Sequence, residues 1–129
     1  MRARIVALMT LVLLLCSCGG TAATTAPSTR ERTSIAQAIR SALASPGIKV
    51  VGVRLSHSDP HFAGVLVTKK NLQGQQLDVV VVVLVQMGGK WTVVLGPGTA
   101  FPQECTQPTP RPISELLCHN PFSVLRKGG

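Results

Sequence analysis

The sequence predicts an α+β fold in which one N-terminal amphipathic helix packs on a four-stranded antiparallel meander, followed by a disulfide-tied C-terminal segment. Three observations carry this. Apolar residues recur at helical spacing after Ser28, alternating and β-branched runs follow from Ile48 to Leu95, and two cysteines, Cys105 and Cys118, close a proline-rich tail. With 129 residues, 45% of them hydrophobic but only 3% aromatic, the chain supports one core built of Val, Leu, Ile and Ala.

The helix comes first. Ser28 and Glu31 match a capping box, and Ile35, Ala38, Ile39, Ala42 and Leu43 fall on one stripe. Arg32, Gln37 and Arg40 take the outer face, and Ser45-Pro46-Gly47 ends the helix. Next, Ile48 to Ser56 alternates, which predicts a half-buried strand with Val51, Val53 and Leu55 inward and Gly52, Arg54 and Ser56 outward. Ser58-Asp59-Pro60 is turn chemistry, and Phe62 to Thr68 resumes as a second strand. Lys69 to Gln76 reads as a loop. Leu77 to Met87 holds an unbroken Val79–Val85 run whose β-branching favours a central strand buried on both faces. Gly88-Gly89 suits a two-residue hairpin turn. In that register Trp91 faces Gln86, Val93 faces Leu84, and Trp91, Val93 and Leu95 point to the core. A short helical turn is expected at Ile113 to Leu117, and residues 126–129 read as a frayed tail.

Ahead of the domain, Arg2 and Arg4 precede an apolar run from Ile5 to Leu15, the order of an export signal. The run is far shorter than the roughly twenty residues that cross a bilayer. Leu15-Cys16-Ser17-Cys18 resembles the lipobox of bacterial lipoproteins, with Leu three before and a small residue just before Cys18. That resemblance implies a signal peptide over residues 1–17, cleavage before Cys18 and lipidation of Cys18, with palmitate-type acyl chains holding the protein on the outer face of the cell membrane. A secreted protein without lipid is the alternative. Each buried methylene contributes about 0.8 kcal/mol, so several acyl chains anchor a small protein stably. Residues 18–27 then form a lipidated, flexible tether, because Gly19 to Pro27 holds no charge and no large apolar side chain. Residues 28–125 form the single domain.

With Cys16 in the leader and Cys18 taken by lipid, Cys105 and Cys118 remain to pair, as export into an oxidising compartment favours. A metal pair is the alternative, though their spacing is not that of a zinc motif. Removing Arg2 and Arg4 with the leader lowers the formal charge from +8 to +6. Basic residues such as Arg54, Lys69, Lys70, Lys90, Arg111 and Arg126 are scattered, which points away from nucleic acid.

Val53-Arg54-Leu55, the Ser58-Asp59-Pro60-His61-Phe62-Ala63 entry to the second strand, Gly89-Lys90-Trp91 and the two late cysteines occur in an order that resembles a family of uncharacterised exported actinobacterial proteins. The resemblance spans roughly Ile48 to Cys118, departs at Phe62, where members often carry Trp, and implies fold and location but no activity. A helix on a four-stranded meander is also the outline of cystatin-like folds, yet the Gln-x-Val-x-Gly hairpin of the inhibitors is missing.

Candidate sites are few. His57, Asp59 and His61 offer two imidazoles and a carboxylate at alternate positions, a zinc or hydrolase alternative weighed against a plain turn with exposed histidines. No Gly-x-Ser-x-Gly elbow or phosphate loop occurs, and the acids Glu31, Asp59, Asp78, Glu104 and Glu115 are dispersed along the chain. Trp91 reads as core. The function expected is a non-enzymatic binding or interaction module of the cell envelope, without a cofactor. Its partners are the membrane, through the lipid, and an envelope protein or anionic polymer.

Overall fold

The computed structural model describes residues 24–45 and 47–126. The signal segment, Cys16, Cys18, tether residues 19–23 and tail residues 127–129 lie outside the described residues. Among the described residues no helix is long and apolar enough to cross a membrane.

Helix α1, Thr29–Leu43, starts on a full capping box: the Ser28 hydroxyl accepts from Glu31 N at 3.1 Å, and the Glu31 carboxylate accepts from Ser28 N at 3.2 Å. Ile35 and Ile39, one turn apart, are fully buried, and Ala38 and Leu43 pack beside them. Ala42, expected on the same stripe, is exposed because it overhangs a shallow hollow lined by Trp91 and Val93.

The sheet has five antiparallel strands in chain order: β1 Thr24–Thr25, β2 Ile48–Ser56, β3 Phe62–Lys69, β4 Val80–Met87 and β5 Lys90–Gly98. The four-stranded, single-helix expectation is therefore incorrect on both counts. The added strand β1 comes from residues assigned to the tether, and it pairs Thr24 with Ser56 and Thr25 with Leu55. What holds it is polar. Arg54 is buried, and its guanidinium donates to the Thr24 hydroxyl at 3.1 Å and the Thr24 carbonyl at 2.9 Å, since a buried cation must find acceptors. An argument from apolar content is blind to such a strand.

Beyond α1 the chain forms α2 Pro102–Thr106, α3 Arg111–Leu117, which contains the helical turn expected at Ile113 to Leu117, and α4 Pro121–Val124. They cover the sheet face opposite α1, so the molecule has three layers. Val82 and Leu84 of β4 face the α1 core with Val53, Val65 and Trp91, whereas Val81 and Val83 face Leu116, Leu117 and Leu125. Gly52 and Gly64 form a pit for Leu125, which has no exposed surface. A Cβ on Gly64 would lie 2.6 Å from a Leu125 methyl, and one on Gly52 would strike the Leu125 carbonyl. This cover overturns the half-buried reading of β2, because Gly52, Arg54 and Ser56 are buried rather than outward.

Two of the three register irregularities in the sheet redirect the side chains of Val51 and Leu95. Pairing of β2 with β3 jumps from Val50–Val67 to Gly52–Leu66, so Val51 is the extra residue and packs on the C-terminal side instead of under α1. On β5 the register Gln86–Trp91 and Leu84–Val93 gives way to Val83–Leu95. Val94 is left over and exposed, and Leu95 turns to the opposite face from Trp91 and Val93. One extra residue in a period of two reverses every side chain beyond it.

Candidate functional site

The turn between β2 and β3 holds His57, Asp59 and His61. One Asp59 oxygen, Oδ1, accepts from the His61 backbone N–H at 3.0 Å and lies 2.9 Å from His61 Nδ1. The His61 backbone bond first, then its ring contact and charge, hold the Asp59 carboxyl below the usual carboxylate range. The His61 side chain is 65% exposed, and His57 is exposed as well. Among the described residues no three His, Cys, Asp or Glu side chains are grouped to hold a metal ion. Asp59 thus closes the turn on its own backbone, as a short acidic side chain does before proline.

Beneath that turn lies a polar network that sequence spacing does not reveal. Glu115 of α3 is 8% exposed, and its Oε2 accepts from the Ser56 hydroxyl at 2.6 Å and from Ser58 N at 3.2 Å. Its Oε1 accepts from Arg111 Nε at 3.2 Å. The Ser56 oxygen also accepts from Asp59 N at 3.2 Å. Burial raises the Glu115 carboxyl, but the hydrogen bonds from Ser56 and Ser58 and the Arg111 charge outweigh it, and the group titrates below its ordinary value. Ser56 has no exposed surface, so it meets no substrate. The network is a clamp that docks α3 on the end of the sheet. Its signal in the sequence was a single carboxylate among Ile113, Leu116 and Leu117 on a short apolar helix.

A disulfide joins Cys105 of α2 to Cys118, the residue that ends α3, with Cα atoms 5.5 Å apart. It fastens α2 to α3, and the Glu115 clamp fastens α3 to the sheet.

At the other end of the molecule, where α1 stops, an apolar groove of about 510 Å³ opens between the helix and the sheet. Leu43, Ile48, Val67, Leu77, Val80 and Pro97 form its walls, and Lys69 and Asp78 line it as well. The Thr68 hydroxyl in the wall is already bonded to the Leu77 carbonyl at 2.7 Å. Neither the groove nor the Glu115 clamp follows from local sequence pattern. Compared with family models, curated proteins and solved structures, the chain gives no match.

Proposed function

We propose that this protein is exported, cleaved before Cys18, and held by acyl chains on Cys18 at the extracytoplasmic face of the cell membrane. There it acts as a non-enzymatic binding module whose partner is another envelope component; its resemblance to exported actinobacterial proteins supports the location alone. The observation that carries this reading is the Cys105–Cys118 disulfide, because such bridges persist in oxidising compartments and are rare in the cytosol. Supporting it, Thr24, six residues after Cys18, pairs with Ser56. The groove lies at the opposite, Ile48 end of the sheet. A domain anchored at the first end presents the second to the envelope.

The test is mass spectrometry of the protein recovered from membranes. The expected N-terminal peptide begins at a diacylglyceryl-modified Cys18, and a Cys105–Cys118 bridged peptide accompanies it. Cys18→Ser should move the protein out of the membrane fraction. A mature N-terminus elsewhere, or free thiols at both late cysteines, contradicts the reading, as does substrate turnover by the purified protein.

A further inference from the structure

We propose that the groove at the C-terminal end of α1 binds the alkyl chain of a long-chain fatty acid, with the carboxylate held at the basic rim beside it. The proposal deepens the binding-module reading above by naming the ligand class.

The groove exists because α1 ends early. Leu43 is its last helical residue, Ala44 turns into the left-handed region at φ 42°, and its N–H closes on the Arg40 carbonyl. Ala44 and Ser45 are too small to cover the lower ends of β2, β3 and β4. Leu43, Ile48 and Val80 are consequently only half-buried, and Leu77 is 39% exposed. The fold leaves this apolar surface in contact with water, and covering it is favourable in proportion to its area. The volume falls within the 300–1,000 Å³ usual for small-molecule sites.

The chemistry of the walls separates the two ends of the ligand. Thr68 is satisfied internally, and no buried side-chain polar atom among the described residues lacks a partner. The apolar walls suit a hydrocarbon chain, and with Thr68 satisfied the polar side chains left to line the groove are Ser45, Lys69 and Asp78. Charge sits outside. Lys69 lines the groove, and Arg40 and Lys49 line an adjoining hollow that shares Ile48 with it, against Asp78 as the acid of the groove. That excess of cations complements an anionic head and repels a cationic one.

The full chain, as wild type and as Cys18→Ser, is equilibrated with hexadecanoate carrying a photoreactive diazirine in its alkyl chain, irradiated and digested. Labelled peptides should contain residues 43–48 or 77–80 in both forms. Leu77→Asp places a charge in the apolar wall and should raise the concentration for half-labelling by at least about 10-fold. Lys69→Glu, at an exposed position at the end of β3, should raise it by at least about 3-fold. Unlabelled hexadecanoate should compete, and hexadecyltrimethylammonium should not. Labelling elsewhere, indifference to Lys69→Glu, or equal competition by the ammonium probe overturns the proposal. So does recovery of a crosslinked polypeptide in place of the probe when residue 77 itself carries the photoreactive group. Groove labelling with an unacylated Cys18 defeats the anchor alone, whereas an acylated Cys18 without groove labelling defeats this proposal alone.

Discussion

Replacing Leu125 by alanine should destabilise the whole domain, although the residue stands four positions from the chain end. Leu125 is fully buried, seated in the pit that Gly52 and Gly64 leave and packed beside Leu116. Removing a buried leucine side chain costs 2–5 kcal/mol, and the glycine floor has no side chain with which to fill the void, so about 3 kcal/mol is expected. With a urea dependence of about 1.5 kcal/mol/M for a domain of this size, the midpoint falls by about 2 M. The assay is urea unfolding followed by Trp91 fluorescence. Trp91 is the single tryptophan and lies in the core on the other face of the sheet, under α1. A shift in its midpoint shows that both layers unfold together. If Trp91 reports an unchanged midpoint while amides of residues 116–125 exchange freely, the C-terminal layer is a detachable flap and the reasoning fails.

The Glu115 carboxyl titrates below its ordinary 4.5 in the folded protein, so its contribution is complete above about pH 4.5 and is lost as pH falls through the lower folded value. Glu115→Gln should cost about 1–3 kcal/mol at neutral pH by weakening the bonds to buried Ser56 and to Ser58. It should also flatten the acid limb of stability against pH, measured by thermal melts in the two proteins. Cys105→Ser with Cys118→Ser opens a loop of 13 residues and should lower stability by about 3 kcal/mol, and a reductant should reproduce the loss in the wild type. Gly52→Ala forces the Leu125 backbone to move and should cost about 3 kcal/mol or more, the upper end for overpacking. Gly74→Ala meets open space at φ 79° and should cost only about 1–2 kcal/mol of backbone strain, so equal or reversed losses in paired melts count against the close packing at Gly52.

Local rules carried much of the fold. The Ser28–Glu31 capping box needs four consecutive residues to be recognised, and it forms. The Gly88-Gly89 turn fixes which residues of β4 and β5 meet, and the Gln86–Trp91 and Leu84–Val93 pairs follow from it. The same counting fails at Leu95 and Val51, because a bulge is a decision of the partner strand and leaves no mark in the period of the bulged one. Arg54 and Glu115 fail for a related reason. Each is buried by a segment remote in sequence, Thr24 in one case and the β2–β3 turn in the other, and each satisfies its charge only once that segment has docked. Neither member of either pairing signals the other. The apolar groove was out of reach because it is made by what α1 does not cover.

One part of the second layer was nonetheless implied. A strand with Val81, Val82, Val83 and Leu84 in succession has apolar side chains on both faces, and each face needs a cover. Helix α1 covers one. Among the described residues the only other segment long enough to cover the second lies after Gly98, and its apolar residues Phe101, Ile113, Leu116, Leu117, Phe122 and Leu125 match no single helical or strand period. They need none. Three short helices broken by prolines place these side chains on one side of the sheet, and two fasteners, the Cys105–Cys118 bridge and the Glu115 clamp, do the ordering that a long amphipathic helix does by itself. Demand from the sheet, rather than periodicity in the tail, is the sign by which such a layer is recognised.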